Sequence, residues 1–182
     1  MTAVAIDISA RHQWQQMLNP APQALPGRQA FHERLERALS HGVPTGPVLA
    51  VLSMDLGGVR HDDGQHRRLG DDAMRIVAAR LMLALRVQDA ACRVGEQAFA
   101  CLLVDAIDHD HLGARAGRLF DAVAAPLRLG GVELQTRPSI GIAMYPADGA
   151  TGARLLRRAD AARLRARQKQ QSYAFFDRQA DI

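Results

Sequence analysis

Lysine is nearly absent, with Lys169 the single example against 22 arginines, and cysteine is limited to Cys92 and Cys101. Two cysteines are too few for a disulfide framework, and their spacing is not that of a zinc site. Aromatic side chains are scarce as well, with one Trp, two Tyr and five Phe, which excludes the interleaved stacking surface of single-strand nucleic-acid binders. Long apolar runs are missing. No stretch approaches the roughly 20 residues of a membrane helix, and the N-terminus lacks the three regions of a signal peptide. The expectation is a cytoplasmic chain with no membrane span and no nucleic-acid partner. The net charge of +4 comes from arginines spread along the whole chain, which fits coding bias better than a dedicated polyanion surface.

What is present suits one globular domain: 182 residues, 48% of them hydrophobic. Residues 1–20 form a lead-in segment, in which a short polar and apolar stretch holding Trp14 is closed by Asn19-Pro20-Ala21-Pro22. The domain proper occupies 21–178. Phe31, Leu35 and Leu39 stand at i, i+4 and i+8 and predict an amphipathic helix ending near Ser40. Val48 to Leu56 reads as a buried strand with Asp55 at its end. The loop from Gly57 to Gly70 is dense in His, Asp and Arg, and a helix over about 71–87 follows. Two short apolar runs, Ala90 to Val94 and Ala98 to Val104, flank Gly95-Glu96-Gln97 as a hairpin. If Glu96 and Gln97 alone make the turn, Cys92 lies opposite Cys101; otherwise the two are separate buried thiols. A third helix carries Leu112, Leu119 and Val123, with Asp108-His109-Asp110-His111 at its start. A second hairpin turns at Gly130-Gly131 into a long strand from Val132 to Tyr145. A last helix over about 152–170 shows Leu155, Ala159, Ala162 and Ala166 on one face. Arg154, Arg157, Arg158, Arg163, Arg165, Arg167 and Lys169 ring it, most of them as a solvated face. Ser172 to Phe176 forms a closing strand.

At the first hairpin, Arg93-Val94-Gly95-Glu96-Gln97-Ala98-Phe99-Ala100 resembles the Arg-x-Gly-Gly-Asp-Glu-Phe-Ala signature of the GGDEF diguanylate cyclase family. Other stations follow in the family's order: Leu25-Pro26-x-Arg28 with Phe31, Met54-Asp55-Leu56-Gly57-Gly58, Gly70-Asp71, Ser139-Ile140-Gly141-Ile142-Ala143, Tyr145-Pro146-x-Asp148-Gly149, and Arg158-Ala159-Asp160-Ala161-Ala162. The resemblance spans about residues 20–177. It implies an α+β, nucleotidyl-cyclase or palm-like fold with a ferredoxin-like core, in which a central mixed, mostly antiparallel sheet is flanked by helices. It also implies a reaction in which two copies, each holding GTP and divalent cations, meet to make cyclic-di-GMP.

That chemistry needs carboxylates to clamp the metals. In the register of the family, Asp55 is the strand-end metal ligand, and the Leu56 carbonyl is positioned to face a cation. The turn departs from the pattern, since Glu96 replaces the second glycine, Gln97 the metal-binding acid and Ala98 the following glutamate. An amide offers oxygen without charge, and alanine offers no donor at all. The resemblance therefore implies a degenerate member without cyclase activity. No cofactor is then required, and Mg²⁺ enters only alongside residual GTP binding. For GTP, Asp71 matches a guanine-reading aspartate, Asp62 stands where an asparagine reads the base, and Arg167 falls at a phosphate-binding lysine. Gln170, Gln171 and Ser172 depart from the Gly-Arg-Asn that usually follows.

Arg86-Val87-Gln88-Asp89 has the spacing of the family's inhibitory Arg-x-x-Asp site for cyclic-di-GMP. Guanidinium can bond to guanine O6 and N7, while carboxylate accepts from its N1 and N2 side. Arg115 or Arg118 supplies a second arginine. Without the resemblance, the same i, i+3 pair reads as a solvated ion pair. The partners implied are cyclic-di-GMP, GTP, a second copy of the domain, and an EAL phosphodiesterase module or another protein. The expected role is a regulatory or receptor module of cyclic-di-GMP signalling. A scaffold that binds no nucleotide and a weakly active cyclase are the alternatives.

Overall fold

A computed structural model describes residues 25–41, 48–60, 66, 67 and 70–181. The lead-in segment with Trp14, and Asp62, lie outside the described residues. In chain order the elements are α1 (Arg28–Ser40), β1 (Val48–Asp55), β2 (Val59–Arg60), β3 (His66–Arg67), α2 (Asp71–Ala84), β4 (Ala90–Arg93), β5 (Ala98–Ala106), α3 (His109–Ala124), β6 (Leu127–Leu129), β7 (Val132–Thr136), β8 (Ser139–Tyr145), α4 (Gly152–Gln168) and β9 (Tyr173–Phe175).

The main sheet runs β4-β5-β1-β8-β9. β1 pairs antiparallel with both β5 and β8, and only the β8–β9 pair is parallel. Central position explains the composition of β1, because a strand covered on both faces needs apolar residues at consecutive positions. Ala50, Val51 and Leu52 are all fully buried. On one face Leu52 and Met54 meet Met74, Val77 and Leu81 of α2 and Leu112 and Leu119 of α3. On the other, Leu49 and Val51 meet the Phe31, Leu35 and Leu39 stripe of α1 and Leu155 and Ala159 of α4. The fold is thus an α+β sandwich of a mixed, mostly antiparallel sheet between two helical layers, as the resemblance implies. No helix among the described residues is long and apolar enough to cross a membrane.

Two helix starts carry side-chain caps. The Asp108 side chain accepts from the His111 N–H and opens α3, and Thr151 does the same for Arg154 at the start of α4. The Gly130-Gly131 turn between β6 and β7 has both residues at positive φ, 56° and 82°, as a two-residue hairpin demands.

Two sequence expectations are corrected. The long strand from Val132 to Tyr145 is two strands, interrupted at Arg137-Pro138, where proline lacks the N–H that a ladder needs. β7 joins a small second sheet of order β3-β2-β7-β6, which also draws β2 and β3 out of the expected Gly57 to Gly70 loop. The first hairpin turns through three residues, because both Val94 and Gly95 donate to the Ala98 carbonyl. That register sets Cys92 opposite Ala100 and Ala91 opposite Cys101. Since alternate residues face opposite sides of a sheet, the two thiols belong to different core layers and cannot pair. Burial pushes both thiols above their ordinary range.

Candidate functional site

The end of β1 and the turn between β4 and β5 lie side by side, as adjacent antiparallel strands require. Asp55 stands opposite Ala98, and the Leu56 N–H donates to the Gln97 carbonyl (3.0 Å). Arg93 holds the turn in shape, donating from Nε to the Gly95 carbonyl (3.0 Å) and from Nη2 to that of Glu96 (2.6 Å). Arg28 donates to the Val94 carbonyl from α1. Phe99 anchors the returning strand in the core. The signature positions Gly95, Glu96, Gln97, Ala98 and Phe99 are therefore brought together with Asp55.

The donor set does not fit a divalent cation. Asp55 Oδ1 accepts the Gly57 N–H (2.7 Å), and Asp55 Oδ2 lies 3.7 Å from Arg163 Nη1. The Leu56 carbonyl accepts the Arg137 N–H (3.2 Å). Gln97 contributes a neutral amide whose buried Nε2 has no hydrogen-bond partner among the described residues. Among those residues, no group of three or more His, Cys, Asp or Glu side chains could hold a metal ion. A divalent cation with several oxygen ligands needs more anionic charge than one carboxylate already facing an arginine.

The two described nucleotide positions, Asp71 and Arg167, line different cavities. Asp71 is exposed in the first turn of α2, 4.0 Å from Arg93 Nη1. Arg167 is exposed on the last turn of α4 and, with Arg137, Ser139 and Ser172, lines a cavity of about 470 Å³. Asp62 lies outside the described residues.

Arg86 and Asp89 form a closed turn instead of a solvated ion pair. The Arg86 N–H donates to Asp89 Oδ2 (2.8 Å), and the Asp89 N–H donates back to the Arg86 carbonyl (3.0 Å). The Asp89 side chain is 1% exposed and pairs with Arg115, itself 5% exposed; its Oδ1 accepts the Val104 N–H (3.1 Å). Arg115 also donates to the Val104 carbonyl (2.8 Å). Of the two candidate arginines, Arg115 is committed to Asp89 while Arg118 is exposed. Arg86 and Arg118, with Leu83 and Arg115, line a cavity of about 310 Å³.

Sequence reasoning missed Arg163, which it placed among the solvated residues of the last helix. Its side chain is 12% exposed and reaches both Asp55 and Asp160. The signal was there: 163 follows Ala159 by four and precedes Ala166 by three, so it shares the buried stripe. Arg165 is likewise engaged, with Asp181 (2.6 Å). Burial works against the Asp181 charge, but hydrogen bonds from Arg165 and the Asp177 N–H, with the Arg165 charge, hold its carboxyl below the ordinary range.

Comparison with known proteins matches residues 23–173 to the family described as diguanylate cyclase, GGDEF domain. The bifunctional diguanylate cyclase/cyclic di-GMP phosphodiesterase MucR of Pseudomonas aeruginosa is 35% identical over 155 residues, covering 84% of this chain and 22% of MucR. The diguanylate cyclase TpbB of the same species is 36% identical over 145 residues, covering 76% of this chain and 32% of TpbB. The chain thus spans between a fifth and a third of the length of these curated relatives. A solved structure comprising only the GGDEF domain of TpbB superposes with a TM-score of 0.73 at 30% identity, covering 86% of this chain and 93% of that one.

Proposed function

The chain belongs to the GGDEF domain family of diguanylate cyclases, and from that membership we propose that it is a catalytically silent member which regulates a neighbouring module or partner protein in cyclic-di-GMP signalling. The observation that carries the reading is the state of the carboxylate at the end of β1. Asp55 faces Arg163 at 3.7 Å, and the adjacent turn offers Gln97 and Ala98 where the cyclase chemistry needs acids. Two metal-clamped phosphates cannot be brought to reaction on one compensated carboxylate. MucR, which carries cyclase and phosphodiesterase activities on one polypeptide by its name, supports an EAL-type module as the regulated neighbour.

Cyclic-di-GMP is the ligand proposed for the cavity beside α3. Arg86 and Arg118 supply guanidinium groups for guanine edges or phosphates, and Leu83 supplies an apolar wall. Asp89 acts from behind by fixing the turn that carries Arg86, not by touching the ligand. Calorimetric titration with cyclic-di-GMP tests this, run on the full chain and on Arg118→Ala. Saturable binding that weakens at least roughly tenfold in the variant is expected, since loss of one charge-assisted contact is worth about 1.5–3 kcal/mol. The internal engagement of Asp89 favours a second reading, a docking scaffold without nucleotide binding. Absence of heat and of any nucleotide-induced thermal shift would select that reading and reject the receptor.

A further inference from the structure

The surroundings of Asp55 are a built cluster, not an emptied metal site. Arg163 places Nη2 at 2.8 Å and Nε at 2.9 Å from Asp160 Oδ1, and turns Nη1 towards Asp55 Oδ2 at 3.7 Å. Ser53, two residues before Asp55 on β1, donates to the same Asp160 oxygen (3.1 Å). One guanidinium thus spans two carboxylates, one on the central strand and one on its own helix, and a serine braces the second.

The backbone fixes this arrangement. Gly141 of β8 pairs with Ser53, and α4 crosses directly over it. A methyl group at Gly141 would stand 2.3 Å from the Arg163 nitrogen and 2.9 Å from its Cα. The base of the Arg163 side chain therefore rests on β8, one strand from Asp55, and its head reaches the end of β1. Arginine does not lose its proton in proteins and its planar fork suits carboxylates, so the positive charge at this place is permanent.

We propose that Arg163 is an internal counter-cation for Asp55, taking the role that a divalent metal has beside a strand-end carboxylate, so that the centre is a fixed Asp55–Arg163–Asp160 ion cluster closed to metals. A divalent ion approaching Asp55 meets a like charge held in place by Asp160, and a compensated carboxylate attracts it weakly. The inference deepens the reading of a silent centre and differs from it in consequence: the cluster excludes cations through Arg163 itself, independently of what Gln97 and Ala98 lack.

Manganese(II) titration followed by water-proton relaxation tests it on the full chain, Arg163→Leu, and the double variant Arg163→Leu with Asp55→Asn. The wild-type chain is expected to show no saturable Asp55-dependent site. Arg163→Leu is expected to gain one, at least roughly tenfold tighter than any wild-type binding, and the double variant to lose it again. Arg163→Gln, which keeps a polar head for Asp160, carries the same expectation and serves if the leucine variant does not fold. Wild-type binding that Asp55→Asn abolishes would overturn the proposal, and so would folded Arg163 variants that gain no site. Because the readout is cation binding and not product, the two ideas fail separately. Asp55-dependent manganese binding without turnover sinks the ion cluster alone, and turnover without such binding sinks catalytic silence alone.

Discussion

Asp89→Ala is expected to lower the stability of the domain by about 3–5 kcal/mol, the usual loss when one partner of a buried ion pair is removed. Asp89 and Arg115 are 1% and 5% exposed, so the truncation leaves a largely buried guanidinium without its counter-charge. Two further bonds go with it, those from the Arg86 and Val104 N–H groups, which releases the turn after α2 from the edge of β5. At roughly 2–4 °C per kcal/mol for a chain of this size, the melting temperature should fall by about 6–20 °C. Pairing the change with Arg115→Leu removes the stranded charge, and an apolar replacement of a whole buried pair is often neutral or better. The double variant should therefore recover part of the loss. Urea and thermal denaturation of the wild-type chain and the two variants check this, and a loss below about 1 kcal/mol in Asp89→Ala would contradict the buried assignment. The result also bears on function, because loss of cyclic-di-GMP binding in an Asp89 variant would report a loosened turn. For that reason the exposed Arg118 is the informative position for a binding test.

Gly141→Ala is the second large effect. The added Cβ would lie 1.8 Å from the Ala159 carbonyl oxygen and 2.3 Å from the Arg163 nitrogen, both backbone atoms of α4. No side-chain rotation relieves contacts with backbone, so α4 must lift from β8 or the strand must bend. The expected loss exceeds the ~1–3 kcal/mol of ordinary overpacking, a large fraction of the ~5–15 kcal/mol that keeps an ordinary domain folded. Expression with soluble recovery, followed by circular dichroism, reads the outcome. A variant as stable as the wild type would show that α4 does not approach β8 as described, and would remove the footing of Arg163 as well.

Much of the fold was legible because the signals were local and redundant. The Phe31, Leu35 and Leu39 stripe, the helix start at Asp108, and the Gly130-Gly131 turn each fix a structure within a few residues. β1 was legible because a strand buried on both faces is apolar at consecutive positions, here Val48 to Leu52. What escaped depended on partners distant in sequence. Pro138 breaks the strand, but nothing local says that β7 then joins β2 of a second sheet. The hairpin register rests on whether one or two amide groups reach the Ala98 carbonyl, and that single step moves Cys92 to the opposite face from Cys101. Arg86 and Asp89 looked like a pair because they are three residues apart; the true partner, Arg115, is on α3 and 26 residues from Asp89. At the site, the departures of Glu96, Gln97 and Ala98 from the family signature were visible in the motif itself. The arginine facing Asp55 was signalled only by its place on the Ala159 and Ala166 stripe, and its partner Asp55 is 108 residues away in sequence.

The most direct measurement is turnover. The full chain would be incubated with GTP and either Mg²⁺ or Mn²⁺, cyclic-di-GMP quantified by chromatography, and TpbB run beside it as an active cyclase. Product indistinguishable from the protein-free control, with TpbB active, is the result expected of a centre built on Asp55, Arg163, Gln97 and Ala98. Cyclic-di-GMP that accumulates with this chain and disappears in Asp55→Asn would contradict catalytic silence.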